Sequence, residues 1–295
     1  MIMNVWCGRV HDSLFSRKVI IMLQRVEMTV LIDNTAPEPF TSEWGLSILI
    51  TADHNKILLD TGAGKLFSEN AEKLGINLSD VDRGVLSHAH YDHADGMDAF
   101  FATNGKASFY VREGSCENCY GIDNGEMNYI GIHRGFLDAY AVRIHYAKGL
   151  YKIEDGIWLV PHRKLDYSAI ALRNNLYALH NEKYCPDDFS HEQSLVIESE
   201  KGLIVFNSCS HAGMLNILGD IQEMLGRNDV FAYVGGLHLY NMTDDELSLI
   251  CADIQDTGIE HIITGHCTGD HAFEYMKSRL GSRIERFSSG FTISF

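Results

Sequence analysis

Residues 87–96 constrain this chain more than any other stretch. They read Ser-His-Ala-His-Tyr-Asp-His-Ala-Asp-Gly, so His88, His90, Asp92 and His93 bring three imidazoles and a carboxylate within six residues. An apolar core has no use for so many polar side chains in one place, because each needs a partner once buried. A solvated polar loop is the bland alternative. A pair of metal ions is the sharper one, since neutral imidazole and carboxylate are ligands that zinc, iron and manganese accept. Gly84-Val85-Leu86 precedes the run and Ala94 to Phe101 follows it, which predicts a strand, a tight loop and a helix. His88 and His90 then project to one side of an extended segment. Asp92 and His93 follow where the chain turns, within reach of a second ion.

Composition removes several alternatives. A hydrophobic content of 45% with 22% charged residues is that of a soluble globular protein. No run of eighteen apolar residues occurs, so no membrane span is expected. The net charge of −16 argues against a nucleic-acid partner, because a phosphate backbone rewards a basic face. The seven cysteines, an odd and scattered set, do not read as a disulfide framework. With no secretory core segment near the N-terminus, the expectation is a cytoplasmic protein acting on a small-molecule substrate.

Patterning predicts strands over Val26–Ile32, Gly45–Thr51, Lys56–Asp60, Ala107–Val111, Gly156–Pro161, Gln193–Glu198 and Leu203–Ser208. It predicts helices over Lys65–Leu74 and Gly213–Leu225, then alternating strand and helix to the C-terminus. Residues 1–24 form an extension of uncertain structure. Residues 25–295 read as one domain, interrupted at about 112–155 by a Gly-, Tyr- and His-rich insertion placed as a substrate-shaping cap. The element order suits α/β layering.

Other segments share the chemistry. These are Leu58-Leu59-Asp60-Thr61-Gly62, Ser208-Cys209-Ser210-His211-Ala212-Gly213, Gly235-Gly236-Leu237-His238-Leu239 and Gly265-His266-Cys267-Thr268-Gly269. His-x-His-x-Asp-His followed by this ordered set resembles the metallo-β-lactamase-fold hydrolases. Within them it is similar to the branch labelled 7,8-dihydropterin-6-methyl-4-(β-D-ribofuranosyl)aminobenzene-5′-phosphate synthase-like. The resemblance implies a four-layer αββα sandwich with the metals at one edge. It implies two divalent ions, zinc first, with iron or manganese as alternatives. His88 and His90 would hold the first ion, and Asp92, His93 and His266 the second. The third ligand of the first ion is His211, with His191 as the rival. Asp60 would accept the free N–H of a ligating imidazole.

Many members of the superfamily carry a bridging Asp where this chain has Cys209. That cysteine is either a thiolate near the metals or a small buried residue. His238 is placed beside the substrate and Asp92 beside the nucleophile, both as catalytic groups. His162 and Arg163 are candidates for holding an anionic group. Cys116 and Cys119 form a Cys-x-x-Cys with no second pair to complete a zinc site.

The implied activity is a metal-dependent hydrolase using a water activated between two metals. Its substrate would be a small-molecule ester, lactone or phosphoester, with a pterin-linked phosphorylated compound suggested by the branch label. The alternatives are a redox or sensing di-iron protein and a non-catalytic binding module. Related di-iron proteins typically carry Glu where His90 stands.

Overall fold

The computed structural model describes residues 22–162 and 166–295. Among them, two seven-stranded sheets carry the fold. The first runs in the spatial order Thr292–Ser294, Val26–Ile32, Ser47–Ala52, Asn55–Leu59, Arg83–Val85, Ser108–Arg112, Ile144–Ala147. The second runs Ile284–Arg286, His261–Thr264, Val230–Val234, Gly202–Phe206, Gln193–Ser199, Ile157–Pro161, Tyr151–Glu154.

Alternation along the strands explains why the sheets stack. In Ser47–Ala52, Ile48 and Ile50 enter the core between the sheets while Leu49 faces the other way. In Gly202–Phe206, Ile204 and Phe206 point inward, and Leu203 and Val205 outward. Both faces of each strand are therefore apolar, and both must be covered. Helices Leu66–Lys73 and Met97–Thr103 cover the first sheet with Phe67, Ala71, Met97 and Phe100. Helices Met214–Leu225, Asp244–Asp256 and Asp270–Leu280 cover the second with Ile217, Ile221, Leu247, Ile254 and Met276. The result is the expected four-layer αββα sandwich. Each such side chain contributes roughly 1.5–3 kcal/mol on burial. A one-residue slip would exchange the inward and outward sets.

The parallel strands place the chemistry. Gly202–Phe206, Val230–Val234 and His261–Thr264 run parallel, as do Asn55–Leu59 and Arg83–Val85. Their carboxyl ends open toward the same side, where open α/β sheets bind ligands. Asp60, Ser87-His88, Cys209-His211, His238 and His266 all follow such ends.

The cap differs from expectation. A third sheet has the order Lys183–Pro186, Leu176–His180, Cys119–Asp123, Glu126–Tyr129. It joins two hairpins from separate parts of the chain, and only the first lies within 112–155. The rest of that stretch contributes Ile144–Ala147 and Tyr151–Glu154 to the edges of the main sheets. These strands are short and half-exposed, so they carry no apolar alternation to read. Most of the 1–24 extension lies outside the described residues. Its end is fastened by Leu23, which bridges Ser199.

Candidate metal centre

Asp60 organises the site. It follows strand Asn55–Leu59 in a left-handed conformation, φ 58°, and is fully buried. Its Oδ1 accepts the Ser87 N–H at 2.7 Å, and its Oδ2 accepts the Ser87 hydroxyl at 2.7 Å and the His93 Nδ1–H at 2.8 Å. Ser87 has one proton, and Asp60 takes it. The serine oxygen therefore accepts from His88 Nδ1–H at 2.8 Å. Both imidazoles are left with a bare Nε2. On the other sheet, His266 gives its Nδ1–H to Asn34 Oδ1 at 2.9 Å, which also directs a bare Nε2 inward.

These nitrogens converge in pairs, the fourth member being His211 Nε2, whose ring has no Nδ1 partner. His88 Nε2 lies 3.3 Å from His211 Nε2, and His93 Nε2 lies 3.2 Å from His266 Nε2. Two lone pairs at that distance repel unless a cation or proton sits between them. Ligands about 2.05 Å from a tetrahedral zinc are about 3.3 Å apart. These donors therefore fit a metal without rearrangement. Asp92 Oδ2 is 3.5 Å from His266 Nε2 and 3.6 Å from His93 Nε2, on the side of the second pair. Cys209 Sγ is 3.2 Å from His93 Nε2. It groups with His88 and His211 on one side and with His93 and His266 on the other, ligand atoms within 4.8 Å.

Charge follows the same division. Burial, reinforced by neighbouring imidazoles, holds His88 and His211 well below the ordinary histidine value, and burial takes His90 down to about 3. All three are neutral, the ligand form. Burial opposes ionisation of Asp92, but His93 and His266 outweigh it and keep the carboxyl below its usual range. Burial lowers His266 too, yet its hydrogen bond to Asp92 prevails and raises it to about 9. Without a cation, a proton is held at that position. Metal binding there displaces it.

His90 stands apart from these pairs. Its ring is 4.6 Å from that of His88 and 4.8 Å from that of His211, and its Nε2 is buried with no hydrogen-bond partner. It also groups with Cys119, Asp187 and His191. His191, the rival ligand, has both nitrogens engaged. Its Nδ1 accepts the Ala89 N–H at 3.2 Å, and its Nε2–H reaches Asp187 at 3.1 Å. That ring holds the His88–His90 loop from behind. The cap holds the same loop from the front, where Ile130 accepts the Tyr91 N–H and Ile132 donates to the Ala89 carbonyl.

His238 lines the cavity beside the two nitrogen pairs, its ring 4.4 Å from that of His211. The two glycines before it let the chain pass closely. A Cβ on Gly235 would lie 1.7 Å from the Asn207 carbonyl oxygen, and one on Gly236 would lie 2.5 Å from Cys267 Sγ. His162 does not line that cavity. Its side chain is buried behind the centre, where its Nε2 accepts from Asn207 Nδ2 at 3.1 Å. Arg163 lies outside the described residues. Cys116 is exposed while Cys119 is buried in the His191 group.

Several contributors escaped the sequence reading. Asn34 orients His266, and Ser87 orients His88. Glu192 accepts the His211 and Ala212 N–H groups, its carboxyl pushed up to about 7 by burial. Ser87 and Glu192 adjoin histidines already singled out. Nothing around Asn34 in the sequence points to its role.

The hub carries a testable consequence. Asp60→Asn replaces one of the two acceptor oxygens by an NH2 donor, so the side chain can no longer accept from the Ser87 N–H, the Ser87 hydroxyl and His93 all at once. Metal affinity is expected to fall about 10–100-fold in chelator competition. Unchanged affinity would show that Asp60 only closes the turn.

Comparison with known proteins agrees with this geometry. Residues 45–166 match the model of the metallo-beta-lactamase superfamily. The chain is 26% identical over 270 residues to the 7,8-dihydropterin-6-methyl-4-(beta-D-ribofuranosyl)-aminobenzene-5′-phosphate synthase of Methanocaldococcus jannaschii, covering 87% of this chain and 92% of that one. A solved metal-dependent hydrolase of the beta-lactamase superfamily superposes with a TM-score of 0.76 at 29% identity, over 91% of this chain and 98% of the other. A diphosphatase of the PhnP family shares the fold at 16% identity, TM-score 0.54, over 92% and 98% of the two chains. By its fold this chain is a metallo-beta-lactamase-fold protein, and the segment that carries its histidine motif matches the model of that superfamily.

Proposed function

We propose that the chain is a metal-dependent hydrolase that holds two divalent ions, zinc first, and cleaves a small-molecule ester, lactone or phosphoester. The observation that carries this reading is the convergence of two pairs of imidazole Nε2 atoms, 3.3 and 3.2 Å apart, around Cys209. His88, His90 and His211 would hold one ion, and Asp92, His93 and His266 the other. Bound there, the ions would supply Lewis acidity and bring the pKa of a water near neutrality.

The protein's own groups do the rest. Asp60, Ser87 and Asn34 fix the tautomers of three ligands. Asp92, ionised in place, can orient the attacking water and accept its proton. His238, beside His211 and facing the cavity, can donate to the oxygen on which charge develops.

The cavity over the centre is about 450 Å³. Trp44, Tyr91 and Tyr240 give it aromatic walls, and Asn128, Asn174, Asn175 and Asp123 give it polar ones. That lining suits a flat ring with several hydrogen-bonding edges. Together with the similarity to the synthase, it supports a pterin-linked phosphorylated substrate. No Lys or Arg occurs among the described residues lining it.

Metal content after purification without added metal, paired with turnover of ester, lactone, thioester and phosphodiester substrates, tests the reading. About two ions per chain, with turnover abolished by chelation, are expected. Tightly bound iron without hydrolysis would favour the redox reading.

Cys209 belongs to the same proposal, as a ligand between the two ions. Metal deprotonates a coordinating thiol outright. The cobalt-substituted protein should show a thiolate-to-metal charge-transfer band that Cys209→Ala lacks, with at least about tenfold weaker binding. A band that survives Cys209→Ala returns this residue to a packing role.

A further inference from the structure

A second cavity, of about 220 Å³, lies behind the His211–His238 wall. His211, His238 and Asn174 line both this cavity and the larger one over the metal centre. Its other walls are mostly apolar, with Met214, Leu239, Met242 and Ile250 among them. The wall carries unanswered polar atoms. Asn174 is 6% exposed, and its Nδ2 has no hydrogen-bond partner. His211 is 2% exposed, and its Nδ1 has none either. A buried polar atom left unpaired costs roughly 1–3 kcal/mol, so both favour a ligand that answers them.

Positive charge collects at the same place. Helix Met214–Leu225 begins here, and its N-cap, Gly213, offers no side-chain cap. The first N–H groups of a helix have no partner within it, and this end carries about half a positive charge. Arg173 lines the cavity at its exposed side and has no ion pair among the described residues. Glu246, whose carboxyl feels Arg173, is engaged in capping Thr243.

We propose that this cavity is a substrate subsite for an apolar stem ending in an oxyanion, a carboxylate or a phosphate. Arg173, the N-terminus of helix Met214–Leu225 and the Asn174 amide would hold the charged end. The apolar walls would hold the stem. No Lys or Arg occurs among the described residues lining the large cavity, so an anionic substrate end that does not reach the metals finds its countercharge here. The subsite rests on the proposed hydrolase only in treating its occupant as part of a substrate, and binding is read without turnover.

Calorimetric titration of the full chain with hexanoate, hexyl phosphate and hexanol tests this. At least one anion should bind about tenfold or more tightly than hexanol, and the tighter anion identifies the end group. Arg173→Gln should remove that preference, and Met242→Trp, which fills the cavity, should weaken all three probes. His88→Ala, deficient in metal, should bind the anion within about twofold of the unsubstituted protein. Equal binding of hexanol and both anions, an unaffected Arg173→Gln, or loss of the anion in His88→Ala would each overturn the assignment. The last would place the probe on the metals instead.

Discussion

Replacing His88 with alanine is expected to strip metal from the protein and lower turnover at least about 10³-fold. The magnitude follows from the water. Free water has a pKa of about 15.7, against about 7 when a metal activates it. Among the proposed ligands His88, like His93, is fully buried, with its Nε2 facing His211 and its Nδ1 tied through Ser87 to Asp60. Elemental analysis gives the metal content and a substrate panel the rate. Circular dichroism checks that the sandwich persists, as three separate apolar cores should ensure. Metal content equal to that of the unsubstituted protein would show that the assigned centre is wrong, whatever happens to the rate.

The second large effect separates His211 from His191. His211→Ala should drop the content from about two ions per chain to about one. His191→Ala should leave the stoichiometry unchanged and weaken affinity only about 10–100-fold, the usual effect of an outer-shell partner. The reason is hydrogen bonding. His211 Nε2 lies 3.3 Å from the bare His88 Nε2 and its Nδ1 has no partner, whereas both nitrogens of His191 are engaged, by Ala89 and Asp187. Becoming a ligand would cost His191 one of those bonds and release the Ala89 N–H behind the motif loop. Loss of an ion from His191→Ala, with both retained in His211→Ala, would reverse the assignment.

How much of this was legible differs by element. The strands Val26–Ile32, Gln193–Ser199 and Gly202–Phe206 were readable because each holds a run of three or more apolar residues and nearly every residue in them is buried. Helix Met214–Leu225 was readable from the spacing of Met214, Leu215, Leu218, Ile221 and Leu225, although the structure buries Ile217 with Met214 and Ile221 and leaves the three leucines partly buried. The second cap hairpin, Leu176–His180 with Lys183–Pro186, was not. Its side chains are mostly half-exposed, and its partner strand, Cys119–Asp123, lies more than fifty residues earlier. Pairing at such separation leaves no local pattern.

The centre divides in the same way. By itself the sequence carried the resemblance to the metallo-β-lactamase fold, which implied the four-layer architecture, and the candidate ligand types of one loop, because His-x-His-x-Asp-His packs three imidazoles and a carboxylate into six residues. Only the tertiary structure decided which distant groups meet that loop. His211 and His266 come from the carboxyl ends of strands in the opposite sheet, and Asn34 sits 232 residues from the histidine it orients. It also decided that Cys209 stands between the two nitrogen pairs and that His191 faces away from them. Those outcomes depend on which lone pair is left bare once every neighbouring donor and acceptor has been matched, and that matching exists only after the sheets have closed.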